Sequence, residues 1–293
     1  MQDQFEQARP RLMGLAYRIL GSVAEAEDAV QDTSLKWLAA DQSSIANPAA
    51  WLTTVCTRRC LDVLKSAQHA RVDYVGTWLP EPLHTQTGEV SPEDALDLAG
   101  SLSTAFLLLL ERLTPKERAA YLLHEIFDRP YEEIGSALSV SEPACRKLVS
   151  RARASVSAGK QRFAPSPENQ KGLLQAFQAA ISTGDTAELS SLLSTDVQLA
   201  ADGGGKVIAA RSIIYGKDKV LRFIERALCV AWGDDGTAFN ELNGQHALVY
   251  GDLSAPTSTV SFELGEKGKI ERIYIMRNPD KLAAIQKGAI SVV

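Results

Sequence analysis

YEEIGSALSVSEPACRKLVSRAR, residues 131–153, decides how the first half of the chain is read. Apolar residues recur at helical spacing on both sides of the SVS turn at 139–141, so two short helices are predicted. Ser141 can cap the second helix and Pro143 is tolerated in its first turn. The pair has the form of a helix-turn-helix, in which the second helix enters the DNA major groove. Its N-terminal residues read base edges and its flanking cations grip phosphates. Arg146, Lys147, Ser150, Arg151 and Arg153 are suited to those roles. A plain αα-corner with a solvated basic face would give the same local pattern, so the surrounding sequence has to decide.

Charge is the first such context. The net charge of −5 over 293 residues hides an asymmetry. Residues 144–162 carry Arg146, Lys147, Arg151, Arg153, Lys160 and Arg162 with no acid, the footprint of a polyanion partner. Residues 78–104 carry Glu81, Glu89, Glu93, Asp94 and Asp97 with no Lys or Arg, broken by Pro80, Pro82, Gly88 and Pro92, and read as a linker.

Upstream, apolar positions at helical spacing (Leu12, Leu15, Ala16, Ile19, then Ala26, Ala29, Val30) predict two helices broken at Gly21-Ser22. Asn47-Pro48 opens another, with Trp51, Leu52, Val55, Leu61 and Leu64 as its apolar stripe and Arg58, Arg59 and Lys65 on other faces. Trp51 fits the core better than a base-stacking role. Helices resume from about Leu96 to Leu113, and Thr114-Pro115 starts one more. Four scattered cysteines (Cys56, Cys60, Cys145, Cys229) form no CxxC pair and read as reduced thiols. No metal site, cofactor or catalytic residue is expected in the chain. With 45% hydrophobic residues and no apolar run of bilayer length, the chain reads as two or three globular units in the cytoplasm.

After APSPE (164–168), two short helices lead into VQLAADGGGKVIAARSIIYG (197–216), which alternates like a β-hairpin. A helix (KDKVLRFIERAL) and four strand-like runs follow, an order that predicts an α+β domain with an antiparallel meander. DGGGK (202–206) is not a phosphate cradle, because Lys206 is followed by Val207 and by no helix. A tight turn at positive φ explains one or two of its glycines, and a bare backbone that another segment can approach explains three.

The order DAVQDTSLKWL (28–38), NPAAWLTTVCTRRCLDVLK (47–65), acidic linker and helix-turn-helix resembles the two-domain core of extracytoplasmic-function sigma factors, over residues 4 to about 162. WLPEP (78–82), DGGGK and NPDKL (278–282) extend the likeness end to end, to the SigJ-like subgroup that carries a fused SnoaL-like domain. The resemblance implies a multidomain chain. Residues 1–75 form an all-α sigma domain, 76–95 the acidic linker, 96–162 the all-α helix-turn-helix domain, 163–168 a second linker, and 169–293 an α+β SnoaL-like cone with a curved antiparallel sheet.

In that family the first domain binds core RNA polymerase and melts the minus-ten element of promoter DNA, while the second binds the minus-thirty-five element. By position, Asp28, Gln31, Asp32, Leu35 and Trp37 then lie on the polymerase-binding helix. Arg58, Arg59, Lys65 and Arg71 supply phosphate contacts, and residues 41–48 lie where the family captures a flipped base. The extension is implied to regulate the sigma core in cis through Trp78, Leu79, Pro80, Glu81, Pro82, through Asp202, Gly203, Gly204, Gly205, Lys206, and through Asn278, Pro279, Asp280, Lys281, Leu282.

Two other classes compete. One is a helix-turn-helix repressor that needs no polymerase. The other is a small-molecule enzyme or sensor, with His246, Asp202, Tyr250, Asp252 and Trp232 gathered in the cavity of the C-terminal domain. Ligand binding in that cavity without turnover is a separate reading.

Overall fold

The computed structural model describes residues 2–72, 74–84, 100–159, 167–232, 235–265 and 267–286. Most of the acidic linker, the Arg71 side chain, Lys160, Arg162 and most of APSPE lie outside the described residues. The chain forms two compact units, one from residues 1–73 and 106–160 with 291–293, the other from 74–105 and 161–290. Among the described residues, no helix is long and apolar enough to cross a membrane, and no group of His, Cys, Asp or Glu could hold a metal ion.

The first unit is helical. α1 (Gln2–Leu20) and α2 (Val23–Ala39) meet at Gly21, whose φ of 71° permits the reversal, and Ser22 caps α2 by accepting from the Glu25 amide at 3.2 Å. α3 (Pro48–Val72) begins at Asn47, whose side chain accepts from the Ala50 amide at 3.1 Å. α4 (Thr104–Leu110) leads to α5 (Pro115–Glu125), which opens on a full capping box between Thr114 and Glu117. α6 (Tyr131–Leu138) and α7 (Glu142–Gly159) follow.

Two buried arginines tie α1 to the later helices. Arg118 donates to the carbonyls of Ile19 and Leu110 and pairs with Glu111 at 2.7 Å. Arg18, 1% exposed, donates to the Gly14 carbonyl and lies 5.6 Å from the Phe127 ring, and burial lowers its guanidinium to about 10. Cys56, Cys60 and Cys145 are buried free thiols.

In the second unit, α8 (Pro167–Thr183) and α9 (Ala187–Leu192) precede β1 (Leu193–Asp202) and β2 (Ile214–Tyr215). A continuous helical stretch follows as α10 (Lys217–Phe223), a π turn at Ile224–Leu228, and α11 (Cys229–Trp232). β3 (Thr237–Leu242), β4 (Gln245–Asp252), β5 (Ala255–Leu264), β6 (Ile270–Met276) and α12 (Pro279–Gln286) complete it. The open sheet has the order β2-β1-β6-β5-β4-β3. Phe177, Val220, Ile224 and Trp232 from the helices pack on Leu199, Leu248, Val260 and Ile273 to form the core on one face.

Two expectations need correction here. The sheet is mixed, because β1 pairs in parallel with β6 (Leu199 opposite Ile273). The helical stretch 217–232 carries the chain across the sheet to β3, and the meander then returns strand by strand until β6 arrives beside β1 in the same direction. The expected hairpin over 197–216 also reduces to a two-residue β2, separated from β1 by residues 203–213. Ile208 in that loop is 91% exposed while its neighbours Ala209 and Ala210 both pack against the core, so burial there does not alternate as a strand requires.

Candidate nucleic-acid interface and the docked strap

In the helix-turn-helix, Ser139 ends α6 in the left-handed conformation, and the Val140 amide bonds the Gly135 carbonyl at 2.9 Å. A Cβ on Gly135 would sit 2.9 Å from the Val140 carbonyl oxygen, so glycine permits this tight turn. Cys145, Val149, Ala152 and Val156 bury one face of α7. The other exposes Arg146, Lys147, Ser150, Arg151 and Arg153. Acids of the same unit hold three of these cations: Glu142 pairs with Arg146 at 2.6 Å, Glu117 with Arg151 at 2.8 Å and Glu125 with Arg153 at 2.7 Å. Arg146 also stacks on the Tyr131 ring, 4.2 Å from its centroid. Hydrogen bonds from Thr114, and then Arg151, hold the Glu117 carboxyl below its ordinary value.

On α3, Arg58 donates to the carbonyls of Ser136 (2.7 Å) and Ala137 (3.1 Å), at the end of α6. Arg59 pairs with Asp32 at 2.6 Å and Lys65 with Asp62 at 3.1 Å. On α2, Asp28, Gln31 and Leu35 are exposed along one helical face, which Leu38 (60% exposed) continues. Leu38 was not singled out from sequence, although its i+10 spacing from Asp28 marks it. Trp37 departs from that face: its ring is buried 5.5 Å from that of Trp51 and supports the helix from behind.

In the second unit, residues 74–84 form a strap across the sheet face that lies opposite the helices. Leu79, Pro80, Pro82 and Leu83 are buried, and the strap faces Thr259, Tyr274 and Met276. Asp202, fully buried at the end of β1, is its anchor. One carboxylate oxygen accepts from the Tyr74 hydroxyl (2.6 Å) and the Gly204 amide (3.0 Å). The other accepts from the Leu79 amide (2.9 Å) and Lys281 Nζ (2.7 Å). Lys281 also donates to the Leu79 carbonyl at 2.7 Å, with its ammonium 4.4 Å from the Trp78 ring centroid and 4.9 Å from that of Tyr74.

Asn278 donates to the Tyr74 hydroxyl at 3.0 Å, and its side-chain oxygen accepts from the Asp280 amide. Lys206 pairs with Asp280. WLPEP, DGGGK and NPDKL, with about 120 residues between the first two and about 72 between the last two, thus meet at one place.

The far end of the strap is fixed by a residue that the sequence reading did not single out. Asn243, at φ 55°, exchanges bonds with Leu83: its amide donates to the Leu83 carbonyl (2.8 Å) and its side chain accepts from the Leu83 amide (2.9 Å). Its Nδ2 donates to the Leu102 carbonyl at 3.1 Å. Tyr74, just outside WLPEP, was missed as well. Burial and then the Asp202 carboxylate push its phenol well above the ordinary tyrosine value.

The catalytic grouping is not assembled. Asp202 serves the strap, whereas Tyr250 and Trp232 belong to the core on the opposite sheet face, their ring centroids 4.5 Å apart. Asp252 is exposed, and hydrogen bonds from Ser254 lower its carboxyl. His246 is half-buried, its amide donating to Gln170.

Two family descriptions match the helical unit: Sigma-70 region 2 over residues 4–70, and Sigma-70, region 4 over residues 103–156. The chain is 38% identical to the ECF RNA polymerase sigma factor SigJ of Mycobacterium tuberculosis, over 95% of this chain and 92% of that protein. It is 30% identical to the probable ECF RNA polymerase sigma factor SigI of the same species, over 94% and 92%. The crystal structure of Mycobacterium tuberculosis SigJ matches with a TM-score of 0.74 at 33% identity, covering 97% of this chain and 99% of the other. Because these likenesses run through the C-terminal α+β unit, that unit is part of the shared architecture. The chain belongs to the extracytoplasmic-function RNA polymerase sigma factors, as an alternative sigma factor that directs the polymerase to promoters.

Proposed function

We propose that the C-terminal domain tunes this sigma factor in cis by holding the strap. Residues 74–84 begin the only covalent path from α3 to the helix-turn-helix. Fastening them shortens the linker over which the two sigma halves can separate. The observation that carries this reading is the Asp202 anchor, where a fully buried carboxylate spends its hydrogen bonds on Tyr74, Leu79, Gly204 and Lys281. Transcription with purified core polymerase tests it. Deleting residues 168–293 changes output while polymerase binding is retained; unchanged output defeats the reading.

Within the same proposal, α7 enters the upstream element through Arg146, Lys147, Ser150, Arg151 and Arg153. Arg58, Arg59, Lys65 and Arg71 contact backbone phosphates near the minus-ten element, and Asp28, Gln31, Asp32 and Leu35 face the polymerase. The protein acts in the cytoplasm with its polymerase and is not an enzyme. The alternative of a repressor predicts a footprint without core enzyme, whereas the sigma reading predicts one that depends on it.

One observation favours a small ligand in the C-terminal domain. Trp232 Nε1 and the Tyr250 hydroxyl, on rings whose centroids lie 4.5 Å apart, are both buried and without a hydrogen-bond partner among the described residues. A ligand there would change the tryptophan indole signal of Trp232, and its absence across a metabolite panel would count against this second reading.

A further inference from the structure

Within the helical unit lies a cavity of about 390 Å³, walled by α1, the start of α3 and the turn between α5 and α6. That is the size range of small-molecule sites. Leu12, Leu15, Pro48 and Phe127 give it an apolar floor, and Gln7, Asn47, Arg11 and Arg129 a polar rim. The two arginines come from α1 and from the turn between α5 and α6, and are close enough that Arg129, after burial, depresses the Arg11 guanidinium. Arg11 is anchored by donating to the Phe127 carbonyl at 2.6 Å and lies 5.7 Å from the Phe127 ring centroid.

Arg129 is held by its own amide on the Leu123 carbonyl at 2.8 Å, yet its Nε is buried without a hydrogen-bond partner among the described residues. Two carboxylates approach this pair of cations. Asp128, next to Arg129 in sequence and at a left-handed φ of 50°, acts on Arg11 against the effect of Arg129, and Glu133 is 3.6 Å from Arg129 Nη1; neither lines the cavity. The N-terminus of the 25-residue α3 opens into the same space and adds positive potential.

Two neighbouring guanidiniums at the rim of an apolar floor form a recognition site for a planar group that carries an anion. The geometry points to a binding site for a small phosphate ester of mononucleotide size. Its phosphate lies between Arg11 and Arg129 and its flat body rests on Leu12, Leu15 and Phe127. Since the walls come from α1 and from the connection into the helix-turn-helix, an occupant fastens these two parts of the helical unit together.

Calorimetric titration of the full chain tests this with AMP, GMP, pyrophosphate and adenosine as probes. The nucleotides bind, pyrophosphate binds more weakly, and adenosine does not bind measurably. Arg129→Gln, and separately Gln7→Glu on the exposed side of α1, weaken nucleotide binding by about tenfold or more, the scale of one charge-assisted contact. Neither variant lowers the melting temperature of the unliganded protein, which separates loss of the site from loss of fold. Failure of both nucleotides to bind at millimolar concentration, equal binding of adenosine and AMP, or unaltered affinity in both variants overturns the assignment. A short single-stranded oligonucleotide that binds through the same residues while the mononucleotides do not would give the cavity to the promoter strand and also overturn it.

Discussion

Lys281 and Asp202 form a buried ion pair at 2.7 Å, and the same ammonium holds the Leu79 carbonyl, so one side chain of α12 fastens both the end of β1 and the strap. Desolvating two charges costs several kcal/mol per ion, and the cost is offset here by hydrogen bonds from Tyr74, Leu79 and Gly204 to the carboxylate and by the Leu79 carbonyl and the Trp78 and Tyr74 rings around the ammonium. An isolated linker of this composition has no reason to stay on a sheet. The anchor supplies that reason.

Lys281→Met therefore leaves an uncompensated carboxylate in the interior, and a loss of about 3–5 kcal/mol is expected for the C-terminal unit. Hydrogen exchange resolves where it goes. The Leu79 and Leu83 amides, which donate to Asp202 and Asn243, become faster in the variant, while amides of α5 to α7 hold their rates. Unchanged exchange at Leu79 would show that the strap does not depend on this pair.

Alkaline pH offers a second handle on the same contact. The folded-state pKa of Tyr74 is raised above the unfolded value of about 10, chiefly by burial and then by Asp202. A raised folded pKa means that the stabilisation is fully present below pH 10 and is lost as pH rises beyond it. Tyr74→Phe removes that dependence. The melting temperature of the variant should fall less steeply than that of the parent between about pH 9 and 11, with the other buried tyrosines contributing equally to both. Parallel curves would mean that Tyr74 titrates normally.

How much of this was readable in advance depends on the range of the interactions. The helices announced themselves through local chemistry: Thr114 and Glu117 close a capping box within four residues, and Asn47 caps α3 three residues ahead of the amide it accepts from. The parallel β1–β6 pairing links positions some 75 residues apart and leaves no trace in strand alternation. Asn243 sits in the turn between β3 and β4, and its side chain bonds the Leu83 amide across 160 residues of sequence, a pairing that no local pattern announces. The basic face of α7 was legible; Glu117 and Glu125, two of the three acids that pair with it, were not, because they sit on another helix.

DGGGK gives a test of close approach. A Cβ on Gly204 would lie 2.3 Å from Asn278 Nδ2, and the residue holds φ 60°. Gly204→Ala is expected to lose about 1–2 kcal/mol from the left-handed backbone alone, with a further loss from displacing Asn278. In an Asn278→Ala background the second part disappears. The two substitutions are then less than additive in a thermal or chemical melt. Full additivity would place Asn278 away from that glycine in solution.

The helix-turn-helix prediction turns on competition between protein acids and DNA phosphates. Arg146 and Arg151 are exposed and held by Glu142 and Glu117, pairs of a kind worth at most about 1 kcal/mol to the fold. Replacing either arginine by alanine should leave the melting temperature nearly unchanged. Each loss should weaken binding of the polymerase holoenzyme to upstream-element DNA and lower the slope of log affinity against log salt by about one for a phosphate contact. An arginine that reads a base instead relaxes sequence preference at its position by about 1–3 kcal/mol. Glu142→Gln works in the opposite direction. It releases Arg146 from its 2.6 Å partner and removes a negative charge from the N-terminal end of α7, so affinity is expected to rise and the salt slope to steepen. Anisotropy titrations across a salt series distinguish these outcomes, and a glutamine variant that binds no tighter than its parent would show that Glu142 does not restrain Arg146.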